Sequence, residues 1–556
     1  LCVFFCAICI TQYDIQNMVF TLHRYIFREL IKVFVPSVVA LTLILSLGSI
    51  LRPVQEYGVG PRQVVHLMGY FLPIALTFVL PMAALFAAAL IYGRFASDNE
   101  LDACRASGIS LLTLVYPGLA LAIIVAIANL ILSFYVVPTF VHRAESSLKA
   151  DAKQILFRNI QRKGYYKLPP EGQYIIYADQ ANLQKDTLSG VVVAEVKNNK
   201  IKKVTTAEST KINFNPHERF NEVQITSYNT YQTGAEDEGW FYAETLQLRM
   251  EFGSLLGDDI KFKKIDEMKK IRDVDLTSFY PIAKLARETY VQFTAELLAE
   301  DIADKTTNDP GSFYKLHSGE KLVEFTAGRC GIGDGKEVEL SGKVEVIEYD
   351  VVSKQRLRAL QCSKALLHLE GDEIAPTLTM ELYNPSWRQA EGSEALAMGW
   401  LRIRGLIMPE AVSYSVNKFA TEDGLDAKKL ASDSSALKKG QSLKLRGLQN
   451  KLQTKIQNTL AEIDAEIHSR LVFGIGCVSL IMIGIGLGII LRGGHLLSAF
   501  GASSMPAALL ILCIMMGKNI TKNPKVQTSS GILMMWGGLV VLSLLALEIY
   551  RRLLKN

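Results

Sequence analysis

Apolar residues are not spread evenly along this chain; they gather in six runs, at about Ile31–Leu51, Val64–Tyr92, Leu111–Val137, Leu471–Leu491, Leu497–Met516 and Gly531–Ile549. A helix of about 20 apolar residues crosses a hydrocarbon core of roughly 30 Å. The pattern therefore predicts six membrane-spanning helices, three before and three after a long polar middle. Two flanking segments are amphipathic. His23–Lys32 places Arg24, Arg28 and Lys32 at i, i+4 and i+8, a basic face expected among lipid headgroups. Residues 424–440 are rich in Lys, Asp and Ser and read as a linker. After them Leu445, Leu448, Leu452, Ile456, Leu460, Ile463 and Ile467 recur every three or four residues, which predicts a helix running into the fourth span.

The polar middle carries strand signals. Gly164–Ala178 reads as two β runs around a Pro-Pro-Glu-Gly turn, Gly190–Thr206 reads as a hairpin, and further runs follow at Glu222–Gln232, Phe241–Phe252, Leu322–Ala327 and Val338–Tyr349. Many short strands without alternating helices predict a sandwich or jelly roll, with Asp275–Glu300 as a helical insertion. The fold class expected is thus membrane α-helical, with six spans arranged 3+3 and an all-β jelly-roll-like domain carrying helical insertions. Its parts are 18–137 (amphipathic helix and first three spans), 138–423 (β domain), 424–468 (linker and amphipathic helix) and 469–556 (last three spans). Residues 1–17 read as an extension before a start at Met18, because Leu1–Ile10 is apolar without the basic region and cleavage site of a signal peptide.

Composition refines this picture. Overall the chain is 49% hydrophobic with a net charge of +5, and no basic block with interleaved aromatics points to nucleic acid. In the short loops, nine Lys and Arg lie on the side of the termini against five on the other. By the positive-inside rule this puts the termini in the cytosol and 138–468 outside. Of eight cysteines, only Cys330 and Cys362 fall in the outer domain, where an oxidising compartment permits a disulfide; the sequence leaves their pairing open. A phosphate loop Gly-x-x-x-x-Gly-Lys-Ser/Thr, a His-Glu-x-x-His and a Gly-x-Ser-x-Gly are all missing. No catalytic residue, metal site or cofactor is expected, and the chain reads as a non-enzyme.

One polar segment interrupts the apolar pattern. Ser97–Gly108 is charged and helix-forming between the second and third runs, too polar for lipid and too short for a domain. Such a segment fits a contact with a cytosolic partner. Ser97-x-x-Glu100 also fits a capping box, so a purely structural role for Glu100 stays open.

These residues resemble the LptF/LptG permeases of the lipopolysaccharide export ABC transporter. The resemblance lies in Arg24-Tyr25-Ile26 before the first span, Leu80–Leu85 in the second, and Asn99-Glu100-Leu101 with Arg105–Gly108 in the loop; it resumes at Glu466–Leu471, the glycine-rich fourth span, and Gly517-Lys518-Asn519. It implies an inner-membrane permease with its large domain in the periplasm, taking lipopolysaccharide to a periplasmic bridge protein. The partners implied are a cytosolic ABC ATPase dimer, which hydrolyses ATP, and a second permease of the same kind as hetero- or homodimer. Glu100, Leu101, Arg105 and Gly108 would couple to the ATPase, while Arg52 and Arg62, with Lys32, are candidates for holding a phosphorylated headgroup. Against this stand a membrane-anchored sensor or scaffold with a ligand-binding outer domain, and a permease for another amphipathic cargo. The outer segment is longer than the family's jelly roll, with 275–321 and 424–440 looking inserted.

Overall fold

The computed structural model describes the chain except residues 1, 58–60, 151, 168–173, 198–199, 217–220, 235–239, 253–258, 307–311, 320, 334–336, 372–375, 388–398, 422–423, 434–436, 438–441, 492–495, 524–527 and 556, together with the side chains of 2–18, 49–57, 61–68 and shorter stretches. Two compact units emerge, 1–268 with 460–556, and 269–459.

Helices α1 (Cys2–Tyr57), α2 (Pro61–Ser97), α3 (Glu100–Ala106), α4 (Leu111–Ile131), α5 (Val137–Ala150) and α6 (Ala152–Lys163) lead the first unit, and a π-helical turn, Leu132–Val136, joins α4 to α5. A short α7 (Ile265–Lys269) marks the junction of the units; the chain closes with α11 (Leu443–Ile490), α12 (Leu496–Thr521) and α13 (Thr528–Lys555). Among the described residues six helical stretches are long and apolar enough to cross a membrane: Val19–Ser46, Gly69–Ser97, Leu111–Ser146, Leu443–Ile490, Ser504–Thr521 and Thr528–Lys555. The 3+3 pattern therefore holds, and the third span continues from α4 through the π turn into α5.

Burial separates central spans from peripheral ones. The apolar windows of α2 and α11 are 56% and 61% buried, against 17% for α1 and 22% for α13. Glycines let α2 and α11 approach closely: a Cβ at Gly488 would stand 2.7 Å from Ala89 O and 3.1 Å from Gly93 N, and one at Gly484 would stand 3.1 Å from Leu85 O. Without a hydrophobic drive between helices in lipid, such contact supplies the packing energy. The Gly484-x-x-x-Gly488 spacing is thus the α2 contact. Likewise α12 and α13 form a tight hairpin, in which a Cβ at Gly517 would stand 2.7 Å from Gly531 O.

In place of one β domain over 138–423, the described residues build two large antiparallel sheets, one in each unit. The first is a meander of β1 (Tyr165–Lys167), β2 (Tyr174–Asn182), β3 (Thr187–Lys197), β4 (Lys200–Pro216), β5 (Asn221–Gly234) and β6 (Trp240–Phe252), each strand beside its sequence neighbour. Leu156, Phe157 and Ile160 of α6 pack on its inner face against Ile176, Leu188, Val191, Val193, Ile212 and Ile225. A crease crosses this sheet. Asp179, Gly190, Glu208, Asn229 and Glu244 occupy one row in which the ladder pairing is interrupted. Gly190 and Asn229 there take left-handed φ of 62° and 49°, and the alternation slips by one residue. Leu188 and Val191 are consequently both buried, as are Ala207 and Thr210. Such irregularities bend and curl a sheet.

The second unit packs α8 (Tyr280–Thr306) with a larger sheet. Its strands are β7 (Tyr314–Ser318), β8 (Lys321–Thr326), β9 (Arg329–Ile332), β10 (Val338–Asp350), β11 (Arg356–Gly371), β12 (Pro376–Tyr383), β13 (Ser386–Trp387) and β14 (Trp400–Leu406), in the spatial order β14-β12-β11-β10-β8-β7 with β9 and β13 as side pairings. The edges β14 and β7 meet, Ile407 N donating to His317 O at 2.7 Å and Ser318 Oγ to Arg404 O at 3.2 Å. The sheet thus curls back on itself. Cys330 and Cys362 are both free thiols, paired across β10 with Leu340 and Val344 respectively.

The stretch 424–440 is more than a linker. After α9 (Glu410–Asn417), the short pair β15 (Ala420–Thr421) and β16 (Gly424–Leu425) leads into α10 (Ala427–Ser432), which buries Ala427 and Leu430. The lysines that gave the stretch its polar composition include the exposed Lys428 and Lys429 on this helix. The amphipathic helix expected after it is the start of α11, continuous with the fourth span; Leu445, Leu452, Ile456 and Ile463 are its buried face. Its first turn is held by α8: Ser442 caps Leu445 N at 3.0 Å, and Glu296 accepts from Ser442 N at 3.1 Å and from the Ser442 hydroxyl.

Candidate functional site

At the end of the bundle opposite the first sheet, α2 runs through Ser97, and the chain reverses at Asn99, whose φ of 58° is left-handed. Asparagine tolerates this conformation better than most residues. Helix α3 starts from Asn99, Ala103 N donating to its carbonyl at 3.0 Å, and the Asn99 side chain makes no cap. The capping box expected from Ser97 and Glu100 is therefore not formed. It requires Ser at the N-cap, and here Ser97 still belongs to α2.

Helix α3 stops at Gly108, φ +84°, with Gly108 N on Arg105 O at 2.9 Å and Ile109 N on Cys104 O at 3.1 Å, the left-handed glycine ending of many helices. Ser110 then caps α4 through Thr113 N at 3.2 Å. Within α3 only Leu101 is buried. It joins the apolar cluster of Ile26, Phe95, Leu111 and Leu114, burial worth about 2 kcal/mol. Glu100 and Arg105 are exposed, the acid at the positive end of the helix and the base at its negative end, as the helix dipole favours. The result is a two-turn helix pinned by Leu101, with Cys104 packed beside it, and with Glu100 and Arg105 turned outward. Burial pushes the Cys104 thiol pKa up, and Glu100 adds to the shift.

At the sheet end of the same bundle lies a buried ion cluster. Arg470 of α11 donates Nε to Glu466 Oε1 at 3.0 Å, and Lys518 of α12 reaches Glu466 Oε2 at 2.5 Å. The Arg470 side chain is 5% exposed. Its remaining donors go to carbonyls: Nη1 to Ser133 at 2.8 Å and Lys263 at 3.3 Å, and Nη2 to Lys261 at 2.7 Å. The Ser133 carbonyl is free for a local reason. In the π turn Val137 N donates to Leu132 O, and the next residue, Pro138, has no N–H to give Ser133. Phe134 lies under the guanidinium, 5.5 Å away.

One side chain thus ties the third span, the fourth span and the segment that follows the first sheet. Around it, Lys522 pairs with Glu462, and His142 of α5 with Glu267 of α7 at 3.3 Å. Burial alone would raise the Glu267 pKa, but the His142 contact holds it below the usual carboxylate range.

Of the residues singled out from sequence, Glu100 and Arg105 lie together on the exposed surface of α3, whereas Leu101 faces the core and Gly108 shapes the turn. Lys32 is exposed and pairs with Glu29 at 2.6 Å, a carboxylate that Arg94 also meets at 3.2 Å. The side chains of Arg52 and Arg62 lie outside the described residues. Sequence reading assigned no role to Glu466, Arg470 or Lys518. The signal was present as a Glu-x-x-x-Arg at the mouth of an apolar run, with a lysine at the end of the next.

The family model described as "Lipopolysaccharide export system permease LptF/LptG" matches residues 24–269 and 379–552. No curated protein matches the chain. The family match resumes at 379 and so omits 270–378, which supplies α8 and β7–β11 of the second unit.

Proposed function

Because this chain belongs to the LptF/LptG family of lipopolysaccharide export permeases, we propose that it is the membrane subunit of an ABC transporter that takes lipopolysaccharide from the outer leaflet of the inner membrane and passes it to a periplasmic bridge protein. In this reading the termini and α3 are cytosolic, both sheets are periplasmic, and a second permease and an ATPase dimer complete the machine. The observation that carries it is α3. A short charged helix between two spans, anchored by Leu101 with Cys104 beside it and presenting Glu100 and Arg105 outward, has the form of a docking element for a separate motor. The sequence carries no phosphate loop of its own. Glu100 and Arg105 are the contact residues, Leu101 holds the helix to the spans, and Gly108 sets its exit.

Glu100→Lys reverses the charge at an exposed position without touching the core. Recovery of the ATPase with the permease from mild detergent is expected to fall, and export with it, while the permease itself accumulates normally. Normal ATPase recovery and normal export in this variant would remove Glu100 from the docking surface.

A further inference from the structure

Helix α4 contains Pro117, which has no N–H to donate to the carbonyl four residues earlier, that of Thr113. The vacancy is filled from another span: His23 of α1 donates Nε2–H to Thr113 O at 2.8 Å. One residue on, the Tyr92 hydroxyl of α2 donates to Leu114 O at 2.9 Å. Three spans therefore meet at two successive carbonyls of α4, a turn beyond the exit of α3. The His23 ring stands edge-on to Tyr116, 6.2 Å between centroids. Neighbouring Ile26 and Leu30 sit in the same apolar cluster as Leu101 and Leu111.

Connectivity gives this hydrogen bond its meaning. Helix α3 is joined by the chain to α2 and α4, so a push on it reaches both directly. It has no such link to α1, whose connection to α2 lies at the opposite end of the bundle. We propose that His23 is a positioning residue, which fixes α1 to α4 through the carbonyl that Pro117 leaves free and so carries a displacement of α3 into the first span. This rests on the reading of α3 as the docking helix. A part-buried carbonyl left without a donor is costly, which favours the closed tie as the helices move.

The test uses the complete transporter in vesicles with lipopolysaccharide as cargo and reads lipid exported per ATP hydrolysed, ATPase recovery and thermal stability. His23→Ala is expected to lower the export ratio about fivefold, the scale of one net hydrogen bond, with ATPase recovery unchanged. Adding Pro117→Ala supplies an amide to Thr113 O, so it should restore thermal stability but not the export ratio, because α1 is still unattached. His23→Gln, which keeps a side-chain donor, should recover most of the ratio. An unchanged ratio in His23→Ala, or its recovery through Pro117→Ala, would show that His23 only satisfies a carbonyl and would overturn the proposal. Glu100→Lys run in parallel separates the two readings. If that variant loses the ATPase while His23→Ala leaves the ratio intact, only the His23 assignment fails; if it keeps ATPase and export, the docking reading fails and this one with it.

Discussion

Arg470 makes contacts that only a guanidinium can combine. Its planar fork reaches one carboxylate and three carbonyls, whereas the single ammonium of lysine is a point charge. Arg470→Lys is expected to destabilise the permease by about 2–4 kcal/mol, since it keeps the charge but strands carbonyls. Glu466→Gln should be worse, about 3–5 kcal/mol, because it leaves Arg470 and Lys518 close together without their shared anion. Thermal unfolding in one detergent checks the order; equal stabilities for the two variants would mean that the cluster is hydrated. Half of this site was legible in the sequence: Glu466 and Arg470 stand at i, i+4. The other half consists of main-chain oxygens at Ser133, Lys261 and Lys263, which carry no side-chain signature; that of Ser133 is freed by the π turn and Pro138.

Among elements, α3 shows how a correct segment can be read with the wrong local chemistry. Its existence and exposed charges follow from sequence, but its start does not, because Asn99 in the left-handed region takes the place assigned to Ser97. Ser97→Ala is therefore expected to be near neutral rather than to cost the roughly 1 kcal/mol of a lost N-cap. Leu101→Ala should cost about 2–4 kcal/mol locally and reduce ATPase recovery although Leu101 faces the core; undiminished recovery would mean that α3 is held by the ATPase rather than by the bundle. Helix α11 offers a second case. Ser442 both caps it and engages Glu296 of α8, so Ser442→Ala should loosen its first turns by about 1–2 kcal/mol, visible as faster proteolysis near residue 442 with the membrane spans intact. The apolar period of this helix was readable beforehand; its tie to α8 was not, since that tie depends on a buried carboxylate 146 residues away.

For the molecule as a whole, the six spans and the presence of antiparallel β structure are written in the hydrophobic pattern, whereas the division of the β structure is not. Strand alternation marks each strand but says nothing of which sheet it joins, so β1–β6 and β7–β14 read as one series. The second unit, 269–459, is larger than the insertion that composition suggested at 275–321. The close packing of Gly488 against Ala89 and Gly93 also has a consequence for how the protein is made. At about 5–20 residues per second, the ribosome reaches Gly488 roughly 20–80 s after it has finished α2. Through that interval the small-residue groove on α2 waits for a helix not yet synthesised, while the β structure between them is made. A chain halted before α11 should therefore insert its first three helices and still be recognised as unfinished by membrane proteases, with Gly488→Val mimicking that fate at full length.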